Sequence, residues 1–225
     1  MSDTAYYTIR ERILKGEIAL GAPLSRRRLA VELGMSLLPV AEALQALEND
    51  GLIESRPRVG TRVCLPDADA IRERYEIREA LESQAARLYA AKAGAGEKRQ
   101  MEKMAATMDA MFNKCAGGER DHEFLYAVHS YHLDFHLKIA EAAGCRALRE
   151  MIEKNHVLIF NWLFDVAASR PPLPERFHRE LVDALNRGKM EVADRAMRAH
   201  VRHGLENVVA TLSPRAKNVR FERVK

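Results

Sequence analysis

His132 and His136 stand four residues apart in a stretch whose apolar spacing predicts a helix, so their rings project from one face at the separation at which two imidazoles share a metal ion. Leu133 follows His132, which excludes the zinc-protease pattern, where a glutamate holds that place. His178 and His200 lie 10 and 11 residues either side of the Gly188-Lys189 break. If the two flanking helices are antiparallel, both rings sit at one level, roughly 15 Å from the turn at the α-helical rise. Four imidazoles from three helices could then converge on one cation. His129 and His203, three residues from these positions, are candidates to line the same pocket, whereas His122 and His156 read as ordinary surface or core residues. Phe160, Trp162 and Phe164 read as core.

The elements that would carry these rings are helical. Beyond Pro66-Asp67 no strand pattern appears, and helices are predicted near 70–93, 97–115, 119–142, 145–168, 174–187 and 190–212, broken at Gly94–Gly96, Gly117-Gly118, Gly144, Pro171-Pro172 and Gly188. Ahead of them the pattern is shorter. Tyr6, Ile9, Ile13 and Leu14 mark a first helix, with Ser2 or Asp3 as its cap and an end near Gly16. Ser25 to Leu33 forms a second helix, stopped by Gly34. Ser36 is placed to cap a third, with Pro39 in its first turn and Val40, Leu44 and Leu47 facing inward. Leu52–Ser55 and Thr61–Leu65 can pair as strands around Arg56-Pro57-Arg58-Val59-Gly60. The fold class is therefore mainly α: a winged helix-turn-helix over 1–65, a linker at 66–70, an all-helical bundle over 71–212 and a basic tail over 213–225, which reads as a frayed end.

Two short helices, a tight turn and a hairpin suit the placing of one helix in DNA's major groove. Bulk charge does not make that case, because the formal net charge is +4 and residues 1–65 hold nine Lys/Arg against eight Asp/Glu. Clustering does: Arg26, Arg27 and Arg28 on the second helix and Arg56, Arg58 and Arg62 on the hairpin are six positive charges, read as having few carboxylates nearby. Three cysteines, odd in number and far apart, argue for reduced thiols and against a disulfide framework. With no apolar run long enough to span a bilayer and no cleavage signal, the expectation is a cytoplasmic protein without a membrane partner.

The first 65 residues resemble the winged helix-turn-helix of the GntR family of bacterial transcription regulators. Ile9/Ile13 with Gly16, Leu24/Leu29/Ala30/Leu33/Gly34, Met35-Ser36, Pro39-Val40, Ala43-Leu44, Leu47, Gly51-Leu52 and Val59-Gly60-Thr61/Val63 carry the resemblance. It implies a double-stranded DNA operator as partner, Arg27 as a contact on the second helix and the wing, Gly60 included, against the duplex. Where the family usually has S-R-T-P-V-R-E-A-L, this chain has Ser36-Leu37-Leu38-Pro39-Val40-Ala41-Glu42-Ala43-Leu44, so two arginines are replaced. Each arginine fork could contribute about 1–3 kcal/mol of base discrimination, so a different operator is expected. Leu37 or Leu38 would touch thymine methyls, and Ser36 and Gln45 would be the polar readers.

Residues 71–212 resemble the FCD effector domain of the FadR subgroup through Tyr75–Glu82, Phe135–Gly144, His178–Leu185 and Ala193–His200. The resemblance implies a divalent metal on His132, His136, His178 and His200, with His132 in place of the family's Asp or Asn. An all-imidazole set favours zinc, nickel or another borderline ion over magnesium or calcium. Neutral ligands leave the ion's charge uncompensated, which calls for an anionic effector, and Arg78 matches the family's arginine for holding a carboxylate. The plainer alternative pairs Arg78 with Glu82 on the helix surface. The expected function is a ligand-responsive transcription regulator, a homodimer reading two half-sites. Two alternatives stand beside it: a metal-dependent enzyme with a vestigial DNA-binding domain, and a helical module for a protein partner.

Overall fold

The computed structural model describes residues 2–58, 60–116, 121–167 and 173–218; the side chains of residues 116, 122, 157–167 and 211–218 are outside it. The expectations for His122, Phe160, Trp162, Phe164 and most of the tail therefore fall outside the described residues.

Helix α1 (Ser2–Leu14) buries Ala5, Ile9, Ile13 and Leu14. Helix α2 (Arg26–Leu33) starts where the Ser25 side chain accepts from the Arg28 amide, and ends at Gly34, whose φ of 62° is the left-handed conformation a glycine adopts at little cost. Helix α3 (Leu37–Asn49) presses Val40, Ala43, Leu44 and Leu47 inward. Ser36 precedes it in extended conformation, but its side chain makes no capping bond, contrary to the expectation. The wing is an antiparallel pair, β2 (Ile53–Arg56) and β3 (Gly60–Val63), with Arg56 opposite Gly60. A third strand, β1 (Pro23–Leu24), pairs with β3 on its other edge.

Helix α4 (Ala68–Lys92) begins inside the segment expected to be linker, because the Asp67 carboxylate accepts from the amides of Asp69 and Ala70. Helices α5 (Ala95–Ala116), α6 (His122–Ala142), α7 (Arg146–Ala167), α8 (Phe177–Asn186) and α9 (Met190–Asn218) complete the bundle. Its long axis is α4 packed along α9, and α8 turns one face inward through His178, Leu181, Val182 and Leu185. Helix α9 runs six residues beyond the expected end at 212.

The two cores meet. Leu125, near the start of α6, is buried in the cluster formed by α1, α3 and the wing, and Leu20, Cys115 and Leu133 pack against both clusters. Lys15 Nζ lies 5.4 Å from the centroid of the Tyr126 ring. Among the described residues no single helix is long and apolar enough to cross a membrane. None of the three cysteines forms a disulfide.

Candidate metal centre and nucleic-acid interface

The i, i+4 spacing on α6 does what it implies: His132 Nε2 and His136 Nε2 are 3.1 Å apart. Helix α9 brings His200 Nε2 to 3.3 Å from His136 Nε2. These three residues offer nitrogens that all lie within 4.8 Å of one another, a donor set able to hold a metal ion. His178 on α8 adjoins the set, with ring centroids 5.3 Å from His132 and 5.4 Å from His200. Packing of α8 against α9 thus brings the two late histidines together.

Protonation state suits the donors to a cation. Burial, reinforced by the neighbouring rings, holds His132 and His200 well below the usual imidazole range. Burial also lowers His136 to about 4, against the opposite pull of Glu82. Neutral imidazole carries one lone pair, and its direction is set by what the other nitrogen does. His136 Nδ1 lies 2.7 Å from Glu82 Oε2, and His178 Nδ1 lies 2.9 Å from Asp109 Oδ1. Both carboxylates favour the proton on Nδ1 and so expose Nε2. Burial opposes ionisation of both acids, but Arg78, His136 and His156 outweigh it at Glu82, as do His178 and Arg179 at Asp109, so both pKa values fall.

Arg78 is buried at 3% exposure, which removes the surface-pair alternative. It does pair with Glu82, its Nε 2.7 Å from Oε1, but inside the bundle, with Nη2 3.3 Å from His136 Nε2. A cavity of about 20 Å³ lies against Arg78, His129, His132, His178 and His200. That is room for about one water-sized group. His129 lines it as expected, while His203 packs on Phe177, ring centroids 4.9 Å apart. His156 is buried with Nε2 2.5 Å from Glu82 Oε1, so it is a core residue tied to the centre. Sequence reasoning missed the parts played by Glu82, His156 and Asp109. Only the proximity of Glu82 to Arg78, one helical turn apart, could have hinted at any of them.

On the head, Arg26, Arg27, Arg28, Ser36, Gln45, Arg56, Arg58 and Gly60 are exposed, and Leu37 and Leu38 are 50% and 67% exposed. The expectation of few nearby carboxylates is corrected. Glu54 holds Arg62 at 2.5 Å and Arg56 at 3.2 Å, and Glu32 holds Arg28 at 2.7 Å. Cross-strand register explains the first pair, since Glu54 faces Arg62 across the wing. Arg26, Arg27 and Arg58 form no ion pair among the described residues. Arg58 turns the wing with a φ of 63°. Gln45 Nε2 donates to Asn49 Oδ1 at 3.3 Å.

Comparison with known proteins places this geometry. Residues 1–63 match the description "Bacterial regulatory proteins, gntR family", and residues 73–203 match "FCD domain". The chain is 34% identical over 192 residues to a Paenarthrobacter nicotinovorans protein named "Probable D-xylose utilization operon transcriptional repressor", covering 84% of this chain and 80% of that one. It is 26% identical to the HTH-type transcriptional repressor RspR of Escherichia coli K12, over 90% of this chain and 86% of that protein. Among solved structures it is similar to E. coli McbR/YncC, with a TM-score of 0.71 at 21% identity, covering 93% and 97% of the two chains.

Proposed function

From the premise that this chain belongs to the GntR family and is a ligand-responsive transcription regulator with an FCD domain, we propose that its bundle binds a divalent metal and a small carboxylate, and so controls a homodimer's grip on an operator. The observation that carries this reading is the meeting of His132, His136 and His200 nitrogens, with His178 beside them. The ion, zinc or nickel by the donors, supplies a positive charge that neutral imidazoles do not cancel. Arg78 adds a second positive group on the same cavity. An anion completes that balance. Since the cavity admits about one water-sized group, a larger acid would displace the side chains that line it, and that displacement is the conformational signal in this reading.

The bundle acts as a sensor and not as a catalyst in this reading. Among the described residues its two buried carboxylates, Glu82 and Asp109, are committed to histidines and arginines, which leaves neither poised as a general base. The head binds duplex DNA through Arg26, Arg27 and Arg58, with Leu37 and Leu38 presented as apolar contacts for thymine methyls. The test is metal analysis of purified protein beside His136→Ala. One ion per chain in the parent and a loss of at least tenfold in affinity in the variant are expected. A parent with only trace metal, or a variant that retains it, ends the metal reading.

A further inference from the structure

Resting on that reading, we propose that Glu82 is a positioning residue that couples the anion-binding arginine to the metal-binding imidazole, and that His156 holds it in place. Glu82 is 1% exposed. Its Oε1 accepts from Arg78 Nε at 2.7 Å and meets His156 Nε2 at 2.5 Å. Its Oε2 lies 2.7 Å from His136 Nδ1 in close contact, and neither of these two atoms makes a hydrogen bond of regular geometry among the described residues. One carboxylate is thereby committed to three groups from α4, α6 and α7.

Each commitment constrains the others. His156 donates from Nε2 and so fixes the plane of the carboxylate. In that plane Oε2 faces His136 Nδ1, favours the proton there, and leaves the Nε2 lone pair facing His132 Nε2, His200 Nε2 and Arg78 Nη2. The same plane pins Arg78 Nε and leaves Nη2 beside the imidazole cluster, where an anion would meet it. Pulling on Arg78 therefore changes the hold on His136, and the effect is reciprocal.

The three residues Glu82, His136 and His156 also bring ligand atoms within 4.8 Å of one another, the arrangement of a second cation site. Arg78 argues against that use. Its Nε already donates to Glu82 Oε1 at 2.7 Å and His156 Nε2 meets the same oxygen, so Oε1 has no lone pair left for an ion.

The experiment uses the full chain, Co²⁺ as the metal probe read by its visible absorption, and formate as the anion probe. The parent binds Co²⁺, and formate shifts its spectrum and tightens its binding. His156→Leu, which cannot reach the metal, weakens Co²⁺ by about 10–100-fold and loses the formate effect. His156→Gln, which keeps an N–H donor, recovers most of both. Glu82→Gln, of equal volume, repeats the loss and serves if the leucine variant does not fold. Parent-like Co²⁺ affinity and formate response in a folded His156→Leu or Glu82→Gln protein overturns the coupling role while leaving the metal reading intact. A parent that binds no Co²⁺ removes both.

Discussion

Asp109 stands to His178 as Glu82 stands to His136. Its Oδ1 accepts from both the backbone amide and Nδ1 of His178 at 2.9 Å, and its Oδ2 accepts from Arg179 Nε at 2.8 Å. Asp109→Asn keeps the shape but allows the amide nitrogen to face His178 Nδ1, which turns the proton to Nε2 and removes a lone pair from the centre. Metal affinity should fall by about 10–100-fold, measured by competition with a chromophoric chelator, while the melting temperature of chelated protein changes little. An unchanged affinity would show that His178 is only a neighbour of the centre. The histidines were legible because i, i+4 periodicity and equal distances from a turn are properties of sequence. Asp109, Glu82 and His156 were not, because the pairings that define them, Glu82 with His156 and Asp109 with His178, span 74 and 69 residues of chain and no local spacing records that.

Cross-strand register governs the wing, so the charge of β2 and β3 is decided by one acid. Glu54→Gln releases Arg62 and Arg56 from a shared carboxylate, and the affinity for duplex DNA should rise at low salt, with the slope of log K against log salt steepening by about 1. No change in slope would mean that the wing does not approach phosphate. Helix α6 makes a second prediction, because it carries Leu125 in the head's core and, two turns on, His132 in the centre. Leu125→Ala should cost about 2–4 kcal/mol at the seam and uncouple DNA affinity from metal loading, with metal stoichiometry retained. A variant whose DNA affinity still responds fully to chelation would free α6 from that duty. Most elements were readable from apolar period and breakers. The two-residue β1 was not, since Pro23 reads as a breaker and only pairing with Arg62 and Thr61 makes it a strand. Nor was the end of α9, expected at 212, where the helix continues to Asn218.

At the scale of the whole molecule, charge and symmetry decide how tightly DNA is held. The net charge of +4 is small, and with Arg28, Arg56 and Arg62 paired to carboxylates, Arg26, Arg27 and Arg58 are the phosphate contacts proposed for each head. Three contacts predict a slope of log K against log salt of about −3 for one head, and a homodimer spanning two half-sites about −5. Titrating a two-half-site duplex and a single half-site duplex across salt concentrations separates these values. Arg27→Ala should then reduce the slope on the full duplex by about 2, one phosphate from each protomer, with affinity falling on every sequence alike. A slope near −10 would mean that the paired arginines leave Glu32 and Glu54 on binding, so that the wing and α2 rearrange against DNA. A single-head slope on both duplexes would remove the symmetric dimer. With so few charges acting in the proposed dimer, binding to unrelated DNA is expected to be weak, and occupancy to rest on both heads engaging together. In the proposed dimer, a bundle that changes the separation of the two heads is therefore expected to switch operator occupancy.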